Sequence, residues 1–395
     1  MALALHKQKI PCRVFESVTE LKPLGVGINL LPSGVRYLDQ MGLTEHLDAI
    51  SVKTRRQSYY NKFGQEIWTE PRGKAAGYEF PQFSIHRGKL QTYLYDVAIE
   101  RLGSSAIQTN RALESWTDHG DSVTIHLRSR DGGQYDVEGS CLIAADGINS
   151  TARKVLYPDE GPPIYSGLIL WRAVSESHKW LGGSTMVNCG TDTQKFVCYS
   201  IDPELEAQDR CLTNWIAELA VPDWEQPEQN WSNLVDKSRF YDRFADWHFP
   251  WLDVPELINT ADAIYEYPMA DREPLPKWTH GNMTLIGDAA HVMYPIGSNG
   301  ATQGILDVEE MIKQLLTQDT IDEAFNAYES IRRPATAKIV LANRGNGPDE
   351  VLKLADERAP NGFAHVHDVI PQKELEEIAA KYKRLAGFSI KQVNQ

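Results

Sequence analysis

Cysteine is scarce in this chain: five residues in 395 (Cys12, Cys141, Cys189, Cys198 and Cys211), an odd number with no CxxC pair among them. That argues against a disulfide framework or a zinc ribbon and leaves the reduced thiols of a cytoplasmic protein as the plain reading. No stretch approaches 18 consecutive apolar residues, so no membrane span is expected. The first residues lack the basic, apolar and small-residue zones of a signal peptide. Lysine and arginine never run longer than two together, and the net charge is −14. Nucleic acid and anionic membrane are therefore poor partners. There is no internal repeat and no low-complexity segment, which argues against a solenoid or a disordered linker. A GxGxxG loop is also missing from the sequence.

What is present is an ordinary globular composition, 42% hydrophobic and 24% charged. The chain is long enough for two domains, each with its own core. Its most informative stretch runs from Leu285 to Asp307, LIGDAAHVMYPIGSNGATQGILD. An apolar strand signal, Met283 to Ile286, leads into a sharp turn at Gly287-Asp288. A loop broken by Pro295, Gly297 and Gly300 follows, and a helix starts near Gly300. A carboxylate at a strand end followed by a helix N-terminus suits a polyol-bearing anionic cofactor. Asp288 can accept from ribityl hydroxyls, and the unpaired first amides and positive dipole end of the helix meet negative charge.

Near the start, Ala2 to Lys9 reads as the end of a helix and Arg13-Val14-Phe15 as a strand ending at Glu16. An acid at that place is the second half of a Rossmann unit, where it binds the ribose of an adenosine. The first half, a strand with its glycine loop, is not in the sequence. Three explanations stay open: a truncated reading frame, which is the expectation; a degenerate, non-catalytic paralogue; and a functional variant that holds its cofactor without the loop.

The 285–307 stretch closely resembles the second flavin-binding motif of the single-component flavoprotein aromatic hydroxylases, the para-hydroxybenzoate hydroxylase type. Ala144 to Ser150 (AADGINS), continuing to Arg153, resembles the family's Asp-Gly motif. Pro23 to Pro32 (PLGVGINLLP) resembles the loop after its ribose-binding acid. Ser84-Ile85-His86-Arg87, Leu170-Trp171-Arg172 and Tyr267-Pro268-Met269 are similar too. The resemblance thus covers nearly the whole chain and is closest to the phenazine-carboxylate and salicylate hydroxylase branch.

The resemblance implies an α/β fold: a Rossmann-like FAD-binding domain (1–50, 82–160 and 268–345), an inserted β-rich substrate domain (51–81 and 161–267) and a C-terminal helical segment (346–395). It implies a monooxygenase that consumes NADH or NADPH and O2. The substrate would be a small, carboxylated aromatic or heteroaromatic ring, hydroxylated through a C4a-hydroperoxyflavin. A monomer and a homodimer are both compatible.

Roles carry over residue by residue. Glu16 would bind the adenosine ribose, Gly27 would let backbone approach the cofactor, and Arg87 would lie near the ribityl or pyrophosphate. Asp146 would brace the pyrophosphate loop, with Arg153 nearby for NAD(P)H. Asp288 would take the ribityl chain, and Gly300 and Ala301 would present amides to the isoalloxazine. The catalytic candidates are Pro295, over the ring system, with Tyr199 and His291. Met186, Cys198, Tyr265, Tyr294, Trp171 and Arg172 join Tyr199 as candidates on the substrate side, Arg172 for a carboxylate. Plain alternatives stand beside these: an Asp-Gly turn without a ligand, a helix-start arginine, a salt-bridged strand arginine, aromatics that only pack. His365 and His367 have no third ligand and are read as surface residues, with no metal expected.

Periodicity predicts one amphipathic helix around Leu38, Met41, Leu43 and Leu47, and a strong helix from His86 to Arg101. It predicts a half-buried strand at Val123 to Leu127, with a hairpin at Gly132-Gly133. Strands are expected at Gly167 to Val174, Thr185 to Cys189, Phe196 to Ile201 and Ala263 to Tyr267. Helices are expected at Leu212 to Ala220, across 308–343 and at Gln372 to Leu385. Residues 221–253 read as loops over short helices.

Overall fold

The computed structural model describes residues 1–23, 25–222 and 233–394, so residues 223–232 of the loop-rich stretch lie outside the described residues. An eight-stranded sheet dominates. Its order is Asn233–Leu234, Tyr265–Asp271, Ile164–His178, Arg210–Ala220, Gln194–Ser200, Thr185–Gly190, Arg56–Tyr60 and Glu66–Pro71. Neighbours are antiparallel except Thr185–Gly190 and Arg56–Tyr60, which run parallel with Thr185 opposite Arg56.

Side chains alternate between the two faces of this sheet. On the outer face, Trp171, Phe196, Trp215 and Phe240 form an aromatic core under the helix Val254–Asn259. The Trp171 and Phe240 rings stack at 4.7 Å. On the inner face, Leu170, Met186, Val197, Tyr199, Ile201, Ile216 and Met269 form a second cluster. Part of the inner side is closed by C-terminal helices, where Val351, Leu352 and Leu375 pack on Tyr59 and Ile67.

Around this sheet stand short parallel pairs and long helices. Val14–Phe15 pairs with Ile107–Gln108, and Leu142–Ala144 with Met283–Leu285, both parallel and in separate sheets. Gly27–Leu30 pairs with Gln82–His86, which also pairs with Val52–Thr54. The helix Arg87–Leu102 starts on His86, whose Nδ1 accepts from the amides of Gly88 and Lys89. Gly300–Thr317 and Ile321–Arg344 are two helices where one helical region was expected. The second opens on a capping box formed by Thr320 and Glu323.

Two expectations fail. The single helix expected around residues 38–47 is two, Pro32–Gln40 and Thr44–Ala49, broken where Gly42 takes φ +67°. Leu212 to Ala220 is a strand, part of Arg210–Ala220. Leu212, Trp215, Ile216 and Leu219 repeat at helical spacing, but the pattern arises from burial on both faces of a central strand. Trp215, Ala217 and Leu219 enter the outer core, and Ile216 the inner one, with Leu212 packed against it.

Candidate functional site

The strand Met283–Leu285 is fully buried and leads through Ile286 to Gly287, which takes φ +61°; a Cβ there would meet nothing within 4 Å. Asp288 follows, exposed and without a side-chain partner. It starts the one-turn helix Asp288–His291. A knot under this turn holds it in place. Asp307, wholly buried, accepts from the Gly287 amide at 3.0 Å, from Arg332 Nε at 2.7 Å and lies 2.5 Å from His291 Nε2. Burial by itself would push the Asp307 carboxyl up, but His291 and Arg332 outweigh it and hold the group at about 2. Arg332 also donates to Gln303 Oε1 at 2.7 Å, which ties the knot to the helix Gly300–Thr317.

That helix begins without a side-chain cap, so the Gly300 and Ala301 amides have no intrahelical acceptor, and a Cβ on Gly300 would again meet open space. Pro295 is exposed in the loop before it, and Tyr294 and Ile296 are buried against the inner face of the large sheet. The loop and the sheet face therefore share one apolar cluster.

Three polar side chains meet at its edge. Asn214, fully buried, accepts from the Gly27 amide at 2.6 Å, and its Nδ2 has no partner. Arg172 donates to the Gly27 carbonyl at 3.3 Å, and its Nε has none. The Tyr199 hydroxyl lies on Arg172; burial pushes it up to about 12, with Arg172 pulling the other way. Burial also raises Tyr267, while Arg172 and Arg87 pull it back.

The other sequence candidates take these positions. Glu16 accepts at Oε1 from the Val18 amide at 3.0 Å and from the Ser17 hydroxyl at 3.1 Å, leaving Oε2 free. Arg87 is exposed, and its guanidinium has no hydrogen-bond partner. Asp146 caps a helix, accepting from the Ala152 amide at 3.1 Å and from the Ser150 hydroxyl. Gly27 is closely approached by the sheet: a Cβ would come within 2.7 Å of both Tyr199 and Ile201. The close approach that its missing side chain permits is thus to the sheet.

Several candidates point elsewhere. Cys198 and Trp171 lie on the outer face, in the aromatic core, because strand alternation turns them away from Arg172. Met186 and Tyr294 are in the inner cluster, and Tyr265 pairs across from Arg172 on that side. His291 is buried on Asp307 and braces the turn. Arg153 is 2% exposed and spends its donors on Glu160 and on the carbonyls of Ala289, Ala290 and Glu273. Its position does not support the nicotinamide role expected of it. His365 and His367 are exposed, and among the described residues no group of three His, Cys, Asp or Glu could hold a metal ion. Among the described residues no helix is long and apolar enough to cross a membrane.

Sequence reasoning missed Asn214, Asp307 and Arg332. Asn214 was hidden by the helical reading of its strand. Asp307 carried a signal, an acid in the last turns of the motif, but nothing local tells a buried carboxylate from a solvated one.

The residues present fit the flavin and ribityl parts of FAD. Gly287 and Gly300 leave backbone open at a strand end and a helix head, with an unpartnered carboxylate, Asp288, between them in the chain. Comparison with known proteins agrees. Residues 1–343 match the family described as an FAD binding domain. Phenazine 1,6-dicarboxylic acid hydroxylase PhzS of Lysobacter antibioticus is 39% identical over 350 residues, covering 87% of this chain and 86% of that protein. 3-Amino-4-hydroxybenzoate 2-monooxygenase of Streptomyces cremeus is 28% identical over 359 residues, covering 86% and 81%. Klebsiella pneumoniae HpxO, solved with FAD and uric acid, shares the fold with a TM-score of 0.75 at 19% identity, over 99% of this chain and 92% of that one. A salicylate hydroxylase substrate complex does so with a TM-score of 0.73 at 19% identity, over 100% and 93%. By the family match and the 39% relative, this chain belongs to the FAD-binding-domain flavoproteins and, within them, to the aromatic hydroxylases.

Proposed function

We propose that this protein uses NADH or NADPH and O2 to hydroxylate a small, carboxylated fused aromatic or heteroaromatic ring. The observation that carries the reading is the shared cluster: the loop 294–296 and the inner sheet face form one apolar wall, with Asn214 and Tyr199 as its buried polar groups and Arg172 half-buried beside them. The ring type is supported by the phenazine-dicarboxylate hydroxylase at 39% identity. Relatives named hydroxylases and monooxygenases do not favour a non-catalytic paralogue.

In this reading residues 51–81 and 161–267 form the substrate domain. Bound FAD would supply the redox chemistry: two electrons from the nicotinamide, with one atom of O2 going to the ring and the other leaving as water. The protein supplies binding, orientation and dryness. Asp288 accepts from the ribityl hydroxyls, Glu16 Oε2 from the adenosine ribose, and Arg87 meets phosphate oxygens. The Gly300 and Ala301 amides face the pyrimidine edge, where negative charge collects on reduction. Pro295 borders the ring system. Arg172 pairs with a substrate carboxylate, and the Asn214 amide donates to a second acceptor. Tyr199, holding its proton, orients a ring hydroxyl as a donor. Leu170, Met186, Val197 and Ile216 keep water from the reacting carbon.

The test is a coupling assay. FAD-loaded protein is given NADH or NADPH with phenazine carboxylates and hydroxybenzoates, and product is measured against hydrogen peroxide. Substrate-stimulated oxidation of the nicotinamide with hydroxylated product is expected. Peroxide as the sole product across the panel would refute the reading.

A further inference from the structure

The loop 295–299 is shaped from outside itself. Asn343, 1% exposed, donates from Nδ2 to the carbonyls of Tyr294 at 3.0 Å and Ile296 at 3.2 Å. Both of its N–H bonds are then used, which settles the amide's orientation and turns Oδ1 to the Tyr382 hydroxyl, 2.8 Å away. The hydroxyl has one proton, and it goes to Asn343 as the nearer acceptor; the Ile296 carbonyl is 3.3 Å off. Tyr382 therefore accepts from Asn299 Nδ2 at 3.2 Å. Asn299 is the residue at the head of the helix Gly300–Thr317, and its Oδ1 is buried with no protein partner.

Sterics point the same way. Gly297 takes φ +72°, and a Cβ on it would collide with the Tyr382 hydroxyl. Tyr382 itself is 5% exposed, on the helix Gln372–Leu385. That helix lies beyond the 1–343 region that carries the family match.

We propose that Tyr382 is a positioning residue: through Asn343 and Asn299 it holds the 295–299 loop and the head of the following helix in the shape that meets the isoalloxazine ring. The C-terminal helix thereby sets the electronic surroundings of the cofactor. The inference rests on the reading that this loop faces FAD. Amides at a helix head act on charge only within about the first turn, so small displacements there matter. Without the hydroxyl, the Asn299 amide is free to turn over, exchanging donor and acceptor beside Gly300.

The experiment compares FAD-loaded parent, Tyr382→Phe, Asn299→Ala and Asp288→Ala. It reads the visible spectrum of bound FAD, its reduction potential by dye equilibration, its dissociation constant and the circular dichroism spectrum. Tyr382→Phe keeps the ring and its edge-on contact with Phe388. It is expected to weaken FAD binding about fivefold, the size of one neutral hydrogen bond. It is also expected to shift spectrum and potential in the same direction as Asn299→Ala. Should Tyr382→Phe fail to fold, Asn299→Ala carries the test with the same readouts. If these variants match the parent in spectrum, potential and affinity while Asp288→Ala loses FAD, the inference is overturned and the cofactor reading stands. Full FAD affinity in Asp288→Ala overturns both.

Discussion

Individual side chains divide into those that have spent their hydrogen-bonding capacity and those that have not. Asp288 belongs to the second group: exposed and unpartnered, it contributes nothing visible to the fold. Asp288→Ala is therefore expected to leave the melting temperature near that of the parent. It should weaken FAD binding by on the order of tenfold or more, because a charged hydrogen bond is lost. Quenching of FAD fluorescence on titration measures this; an unchanged affinity would count against the ribityl role. Arg172 also has an unspent donor, Nε, close to Tyr199 and Asn214. Arg172→Met is expected to raise KM for a carboxylated substrate by about tenfold or more and to change KM for the uncharged analogue little. Equal effects on both substrates would remove the arginine from carboxylate binding. Asp288 could be picked out from its place at a strand end before a glycine-broken loop. Asn214 could not, since only the opposing Gly27 amide and the sheet register give it a task.

At the scale of elements, one buried knot joins a strand end, a turn and two helices. Asp307 takes hydrogen bonds from the turn and from Arg332, and Tyr328 of the same helix donates to the Leu285 carbonyl at 3.2 Å. Removing its charge leaves Arg332 buried with no counter-ion. Asp307→Asn is expected to destabilise the protein by roughly 3–5 kcal/mol. The pH dependence has a definite sign. The folded carboxyl sits at about 2, below its ordinary 3.8, so its contribution is present above 3.8 and is lost as pH falls through about 2. Urea titrations between pH 5 and 2 are expected to show that decline in the parent and a shallower one in the variant. Parallel declines would show that this carboxylate does not govern acid stability. The strand Arg210–Ala220 teaches a related lesson. Its apolar residues fall at helical spacing although each face is buried in a different core, and no local pattern separates those two cases.

The molecule as a whole sets one eight-stranded sheet beside smaller sheets of two or three strands and helices. A cofactor that binds the folded chain should stabilise it by mass action. At FAD one hundred times its dissociation constant, the gain is about 2.7 kcal/mol. A thermal shift that rises with FAD concentration is expected, and no shift at saturating FAD would contradict the cofactor site. Sequence alone determined the family and the cofactor motif. A carboxylate, a glycine-broken loop and a helix head are contiguous, and the physics that joins them acts over a few residues. It also located the long helix after His86 and the C-terminal helix Gln372–Leu385, where the residue pattern is local and, in the first, His86 supplies a cap. Tertiary structure alone decided which face of each strand looks at the cofactor half, turning Cys198 and Trp171 away and Asn214 inward. It alone brought Tyr382 to a loop some 80 residues earlier in the chain. Such choices depend on strand register and on burial shared between distant segments, and neither is written in any short stretch of residues.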